Sequence, residues 1–131
     1  MAHVGPEDLP SLTLGYSRVD EQPEPSLMVA GMDATAQWRA VRQLRDWEAE
    51  HLALQPGEWL IDVGCGSGDA AIALSAALAP NGFTLGIDSS EAMLEVARRR
   101  AEQAGVAVEF RVEDAQALTV GESEMDACRS E

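Results

Sequence analysis

One stretch constrains this chain above all others: Leu60-Ile61-Asp62-Val63-Gly64-Cys65-Gly66-Ser67-Gly68-Asp69-Ala70-Ala71. It opens on a short apolar run, Trp59 to Ile61, of the kind that forms a strand buried on both faces. An acid and three glycines at alternate positions follow, then an Ala/Ile/Leu-rich run long enough for a helix. Strand, glycine-rich turn and helix N-terminus, in that order, make a place where backbone N–H groups point at a ligand and no Cβ blocks its approach. The same glycines could instead serve only close packing of helix on strand, and both readings stand at this point.

The details of the turn narrow the ligand. The dinucleotide pattern needs glycines at its first, third and sixth positions. Counted from Gly64, the sixth position is Asp69. The phosphate loop that ends in Gly-Lys-Ser/Thr is excluded, because the chain contains no lysine. What remains is acid-x-Gly-x-Gly-x-Gly. The run Asp62-Val63-Gly64-Cys65-Gly66-Ser67-Gly68 resembles motif I of the class I S-adenosylmethionine-dependent methyltransferases. The resemblance implies an α/β fold, a Rossmann-like parallel sheet with helices on both faces and strands in the order 3-2-1-4. It also implies S-adenosylmethionine as cofactor, its methionine part received by Gly64, Cys65, Gly66 and Gly68, with Asp62 drawing in the ammonium directly or through water.

The remainder of the chain falls into place around this turn. Residues 1–32 carry four prolines (Pro6, Pro10, Pro23, Pro25) and no sustained period, so an irregular N-terminal arm is expected there. Tyr16 is a conceivable lid residue, although an ordinary packing contact explains it as well. Asp33 can cap a helix running to about Leu54, where Gln55-Pro56-Gly57 stops it. Its apolar stripe is Ala34, Trp38, Val41, Leu44 and Leu52, with Trp47 at the flank, and Arg39, Arg42 and Arg45 read as a solvated face. Strands are expected at Trp59–Val63 and Phe83–Ile87, with a buried helix Asp69–Ala79 between them.

Asp88 closes the second strand. In an open α/β sheet a carboxylate there lies beside the first strand's glycine turn and can accept both hydroxyls of a ribose. Asp88-Ser89-Ser90-Glu91 also reads as a capping box, and the two roles are compatible. A helix is expected over Ser90–Ala104, with Gly105 as its stop and Arg98, Arg99 and Arg100 in its later turns as solvated, dipole-compensating charges. Val106, Val108, Phe110 and Val112 alternate with more polar residues, the mark of a strand near a sheet edge. The resemblance continues at Glu113-Asp114-Ala115, where similar methyltransferases place an acid-Ala pair. It implies that Asp114 takes the adenine amino group, that Ala115 turns its backbone N–H to the ring, and that Ser89 joins Asp88 at the ribose. A solvated loop acid is the other reading of Asp114. Met125–Arg129 looks like the start of a fourth strand.

Composition bounds the partners. The chain holds 23 acids and nine bases, all arginine, for a net charge of −14, which argues against a nucleic-acid substrate and against an anionic membrane surface. Cys65 and Cys128 read as free, buried thiols of a reducing compartment. Neither His3 nor His51 has a partner at ligand spacing, so no metal is expected. The expectation is a cytoplasmic protein whose residues 33–131 form the cofactor-binding part of a methyltransferase domain, the C-terminal half being absent. The acceptor would be a small molecule, as in the quinone-biosynthesis branch that the chain resembles. No catalytic base can be located. Two other readings remain: an NAD-type nucleotide-binding domain, against which Asp69 counts, and a non-catalytic or truncated cofactor-binding piece. An exposed fourth strand would favour self-association.

Overall fold

The computed structural model describes residues 19–21 and 24–130. Tyr16 and most of the expected N-terminal arm lie outside the described residues. The elements in order are a 3-10 turn Val19–Glu21, α1 Pro25–Ala36, α2 Arg39–Leu52, β1 Trp59–Val63, α3 Asp69–Ser75 with a 3-10 turn Ala76–Leu78, β2 Phe83–Asp88, α4 Glu91–Ala104, β3 Glu109–Val112 and β4 Ala127–Ser130.

The four strands form one parallel sheet in the order β3-β2-β1-β4. The continuous apolar runs occupy its centre: Leu60 and Leu85 are wholly buried and Ile61 and Ile87 nearly so. Strict alternation of Cβ direction splits the strands between two faces. On one face Phe110 packs with Cys65 and with Leu94, Ala97 and Ala101 of α4. Here the Ser75 hydroxyl of α3 donates to Ala71 O and lies 2.7 Å from the Thr84 hydroxyl of β2, so two buried polar groups satisfy each other. On the other face Ile61, Leu85 and Ile87 pack with Val120 and Met125 from the β3–β4 connection. At the carboxyl ends of the strands, Val19 and Val29 close on Met93 of α4, joined by Met28 and Met32 of α1.

The fold corrects the sequence reading at several points. Residues 25–32 are not irregular but helical, because Pro25 sits in the first turn of α1, where its missing N–H costs nothing. Asp33 therefore lies inside a helix rather than capping one. The single helix expected to Leu54 is two helices, broken at Trp38, whose backbone is extended. The stripe on the second is not a buried stripe: Trp38 is 63% and Trp47 56% exposed, and no residue of α2 is buried. The edge strand β3 begins only at Glu109, and of its alternating apolar residues Phe110 is buried while Val112 is half exposed. Arg100 is not a solvated helix end. Its guanidinium binds Asp33, Asp69 and Ser67.

Candidate functional site

The sheet order reverses direction of travel beside β1, which has β2 on one flank and β4 on the other. A crevice forms at such a point outside the carboxyl ends of the strands. The glycine bend after β1 is pinned there by β2: Gly64 N–H and Cys65 N–H both donate to Ile87 O, at 2.7 and 2.9 Å. Gly66 N–H donates to Asp88 Oδ2 at 2.9 Å, and Asp88 Oδ1 accepts from Ser90 N–H at 2.9 Å. The carboxylate is thus turned toward the bend by two backbone donors, one from each side.

Two of the glycines do different work. Gly66 has φ +55°, and a Cβ there would meet Met32 Cε of α1 at 2.6 Å. Gly68 has φ +82°, and its Cβ would meet Ala97 Cβ at 2.9 Å and the Phe110 ring at 3.0 Å. Gly66 thus makes room for the end of the Met32 side chain over the bend, whereas Gly68 lets α3 settle against α4 and the sheet.

A cavity of about 620 Å³ opens on the bend, of a size that suits a small ligand. Of the residues singled out from the sequence, Gly64, Cys65, Gly66, Asp88, Ser89 and Ala115 line it. Asp62, Gly68 and Asp114 do not. Asp62 is completely buried, and Arg129 Nη1 donates to its Oδ1 at 3.1 Å. The two residues are register partners on adjacent strands, and Arg129 Nε reaches on to Glu48 of α2 at 3.0 Å. The partner that a buried acid requires is therefore supplied by the chain itself. Asp114 is exposed, and its Oδ1 accepts from Gln116 N–H at 2.8 Å, closing a local turn. Glu113 stands at the cavity wall in its place, one carboxylate oxygen accepting from Thr119 N–H at 2.7 Å. Hydrogen bonds from Thr119 hold the Glu113 carboxyl below its ordinary range.

The N-terminus of α4 is finished by two residues. Ser90 is its N-cap, accepting from Met93 N–H at 3.1 Å, so the cap lies two positions past Asp88 and, with Met93 at the third helical position, no capping box forms. Asp20, far off in sequence, accepts from the Ser90 hydroxyl at 2.6 Å and from Glu91 N–H at 2.9 Å. The Ser90 hydrogen bond is the main reason that the Asp20 carboxyl titrates below its usual value. No spacing rule could have found Asp20. Arg129 did leave a signal, a lone cation inside a short buried strand, which needs a carboxylate next door. Cys65 lines the cavity but is no nucleophile, since burial pushes its thiol far up, aided by the charges of Asp62 and Asp88.

A parallel sheet ordered in this way, with a glycine bend at the tip of β1 and a carboxylate turned to it from β2, defines a Rossmann-like nucleoside-binding domain of the class I methyltransferase type. The chain belongs to the methyltransferase-domain family, whose profile matches residues 60–131. It is 36% identical over 103 residues to an uncharacterized 37.1 kDa protein of transposon TN4556 from Streptomyces fradiae, covering 79% of this chain and 30% of that protein. It is 42% identical over 71 residues to a demethylmenaquinone methyltransferase of Symbiobacterium thermophilum, covering 52% of this chain and 28% of the relative. A solved SAM-dependent methyltransferase from Thiobacillus denitrificans, in complex with S-adenosyl-L-homocysteine, is 31% identical, with a TM-score of 0.56 over 66% of this chain and 34% of that one. The chain thus spans less than a third of the length of the curated relatives named here.

Proposed function

We propose that this domain binds S-adenosylmethionine and serves methyl transfer to a small-molecule acceptor. The observation that carries the reading is Asp88, whose carboxylate is turned to the Gly66 backbone of the glycine bend at the cavity. In this reading Gly64, Cys65 and Gly66 receive the methionine part by backbone approach. Asp88, with Ser89, holds the ribose through its carboxylate. Adenine lies toward Ala115 and the wall formed by Glu113, with Asp114 beside them in a local turn closed by its hydrogen bond from Gln116 N–H. Asp62 acts as half of an ion pair with Arg129 rather than as a lone anion awaiting an ammonium group.

When bound, the cofactor supplies an electrophilic sulfonium methyl group. The chain's own contribution is orientation, an effect worth roughly 7–11 kcal/mol where reacting groups are well aligned. Burial pushes the Cys65 thiol up, away from the thiolate form that nucleophilic chemistry needs. The demethylmenaquinone methyltransferase likeness and the −14 charge both favour a small organic acceptor over a nucleic acid. Among the described residues no helix is long and apolar enough to cross a membrane. The two free cysteines fit a reducing, cytoplasmic setting. The outer edge of β4 has no strand partner among the described residues, and the reading includes self-association through it.

Calorimetric titration with S-adenosylhomocysteine and with NAD tests the assignment. One equivalent of the former should bind and the latter should not, and Asp88→Ala should abolish the signal while leaving the melting transition in place. Binding of NAD alone would move the chain to the dinucleotide class. Sedimentation at high concentration tests the edge: a monodisperse monomer removes self-association.

A further inference from the structure

A helix gives the N–H groups of its first turn no partner in its own backbone. At the start of α4, Ser90 takes one of these donors, accepting from Met93 N–H at 3.1 Å. Asp20 takes two more, Glu91 N–H at 2.9 Å and Ala92 N–H at 3.2 Å. The Ser90 hydroxyl still has a proton to give, and it goes to Asp20 Oδ1 at 2.6 Å, across 70 residues of chain. That hydroxyl accepts on one side and donates on the other, in a residue only 3% exposed, so its orientation is fixed.

The backbone of the same residue faces the site. Ser90 N–H donates to Asp88 Oδ1 at 2.9 Å, while Gly66 N–H holds Oδ2 at 2.9 Å. Each carboxylate oxygen keeps a further lone pair for a hydroxyl donor, and the direction of those lone pairs follows from where Ser90 N–H stands. Ser90 alone would suffice as the N-cap of α4. A carboxylate brought from so far along the chain does something more, because it joins the Val19–Glu21 turn to the residue that aims Asp88. Val19, beside it, is 2% exposed, packs with Met93 and lines the same cavity as Asp88.

We infer that Asp20 is a positioning residue for sugar recognition: through Ser90 it sets the Asp88 carboxylate for the ribose hydroxyls, and it seats Val19 in the cavity wall. The inference rests on the cofactor reading proposed above. It makes the grip on the sugar depend on a side chain that does not itself line the cavity. The competing account is that Asp20 only adds a second cap to α4, which would cost stability on its removal and leave the sugar preference as it is.

The test titrates the unaltered chain, Asp20→Ala and Asp20→Asn calorimetrically with two probes, S-adenosylhomocysteine and its 2′-deoxy analogue. The unaltered chain should prefer the probe with the 2′-hydroxyl roughly ten- to a hundredfold, the span of a hydrogen bond to a charged group. Asp20→Ala should shrink that preference to about threefold or less, as expected when the bond loses its alignment. Asp20→Asn, which keeps an acceptor for the Ser90 hydroxyl, should fall between. An unchanged preference in Asp20→Ala overturns the inference, however far its melting temperature drops. Should Asp20→Ala not fold, Asp20→Asn decides alone, and a preference equal to that of the unaltered chain overturns the inference. A lack of preference in the unaltered chain also overturns it while leaving the cofactor reading intact. If neither probe binds the unaltered chain, the cofactor reading itself fails and the inference with it.

Discussion

Asp33 and Arg100, 67 residues apart, meet in a two-point ion pair: Nη1 reaches Oδ1 at 2.9 Å and Nη2 reaches Oδ2 at 2.8 Å. The same Nη1 contacts Asp69 Oδ1 at 2.9 Å and Ser67 Oγ at 3.3 Å. One side chain of α4 thus ties α1 to the turn that opens α3, and with it places Met32 over Gly66.

Both carboxylates of this cluster are partly exposed, at 42% of the side chain, and solvent screening limits what they contribute. Asp33→Asn should cost about 0.5–1 kcal/mol in urea denaturation, and the difference should shrink in 1 M salt as the charges are screened. A loss that is insensitive to salt would point to packing instead of the ion pair.

The two glycines should separate stability from binding. Gly68→Ala forces a left-handed backbone on a residue whose Cβ has Ala97 and Phe110 in its way, at a cost of roughly 2–4 kcal/mol. Gly66→Ala meets only the flexible end of Met32, so its stability cost should stay near 1 kcal/mol while affinity for S-adenosylhomocysteine collapses. Paired denaturation and titration of both variants read the contrast. Equal stability losses would contradict it.

Acid should loosen the fold through two carboxyls. The folded state holds Asp20 below its ordinary 3.8, chiefly through the Ser90 hydroxyl, and Glu113 below 4.5, through Thr119. Each group binds its proton less tightly folded than unfolded. Its contribution is therefore present above that ordinary value and is lost as pH falls through the depressed one. Melting temperature should drop on going from pH 6 to pH 3, and Asp20→Asn should flatten the lower part of that curve. An unchanged slope in the variant would clear Asp20 of the effect.

Arg129→Met strands Asp62, fully buried, without its cross-strand partner and should destabilise the chain by about 3–5 kcal/mol. Pairing it with Asp62→Leu removes the stranded charge and should return much of the loss. A double-mutant cycle measured by denaturation gives the coupling directly. A double variant no better than Arg129→Met alone would mean that the arginine mattered for Glu48 rather than for Asp62.

Short-range features were legible because their causes are local. The bounds of β1 follow from a continuous apolar run, α4 from Ser90 and Gly105 at its ends, and the bend from glycines at alternate positions. The Asp88 role was legible too, since the end of a second parallel strand always lies beside the first strand's turn. The break at Trp38 was not, because a helical stripe continues across it in the sequence.

By itself, then, the sequence determined the central strands β1 and β2, helix α4 and the glycine bend, as these depend on side-chain period, on caps and on missing Cβ atoms. Tertiary structure alone decided which charges meet: Asp62 with Arg129, Asp33 with Arg100, Asp20 with the start of α4. It also set Glu113 at the cavity. The reason is physical: a long polar side chain settles on whatever partner the fold brings within about 3 Å, and along this chain those partners stand some seventy residues away.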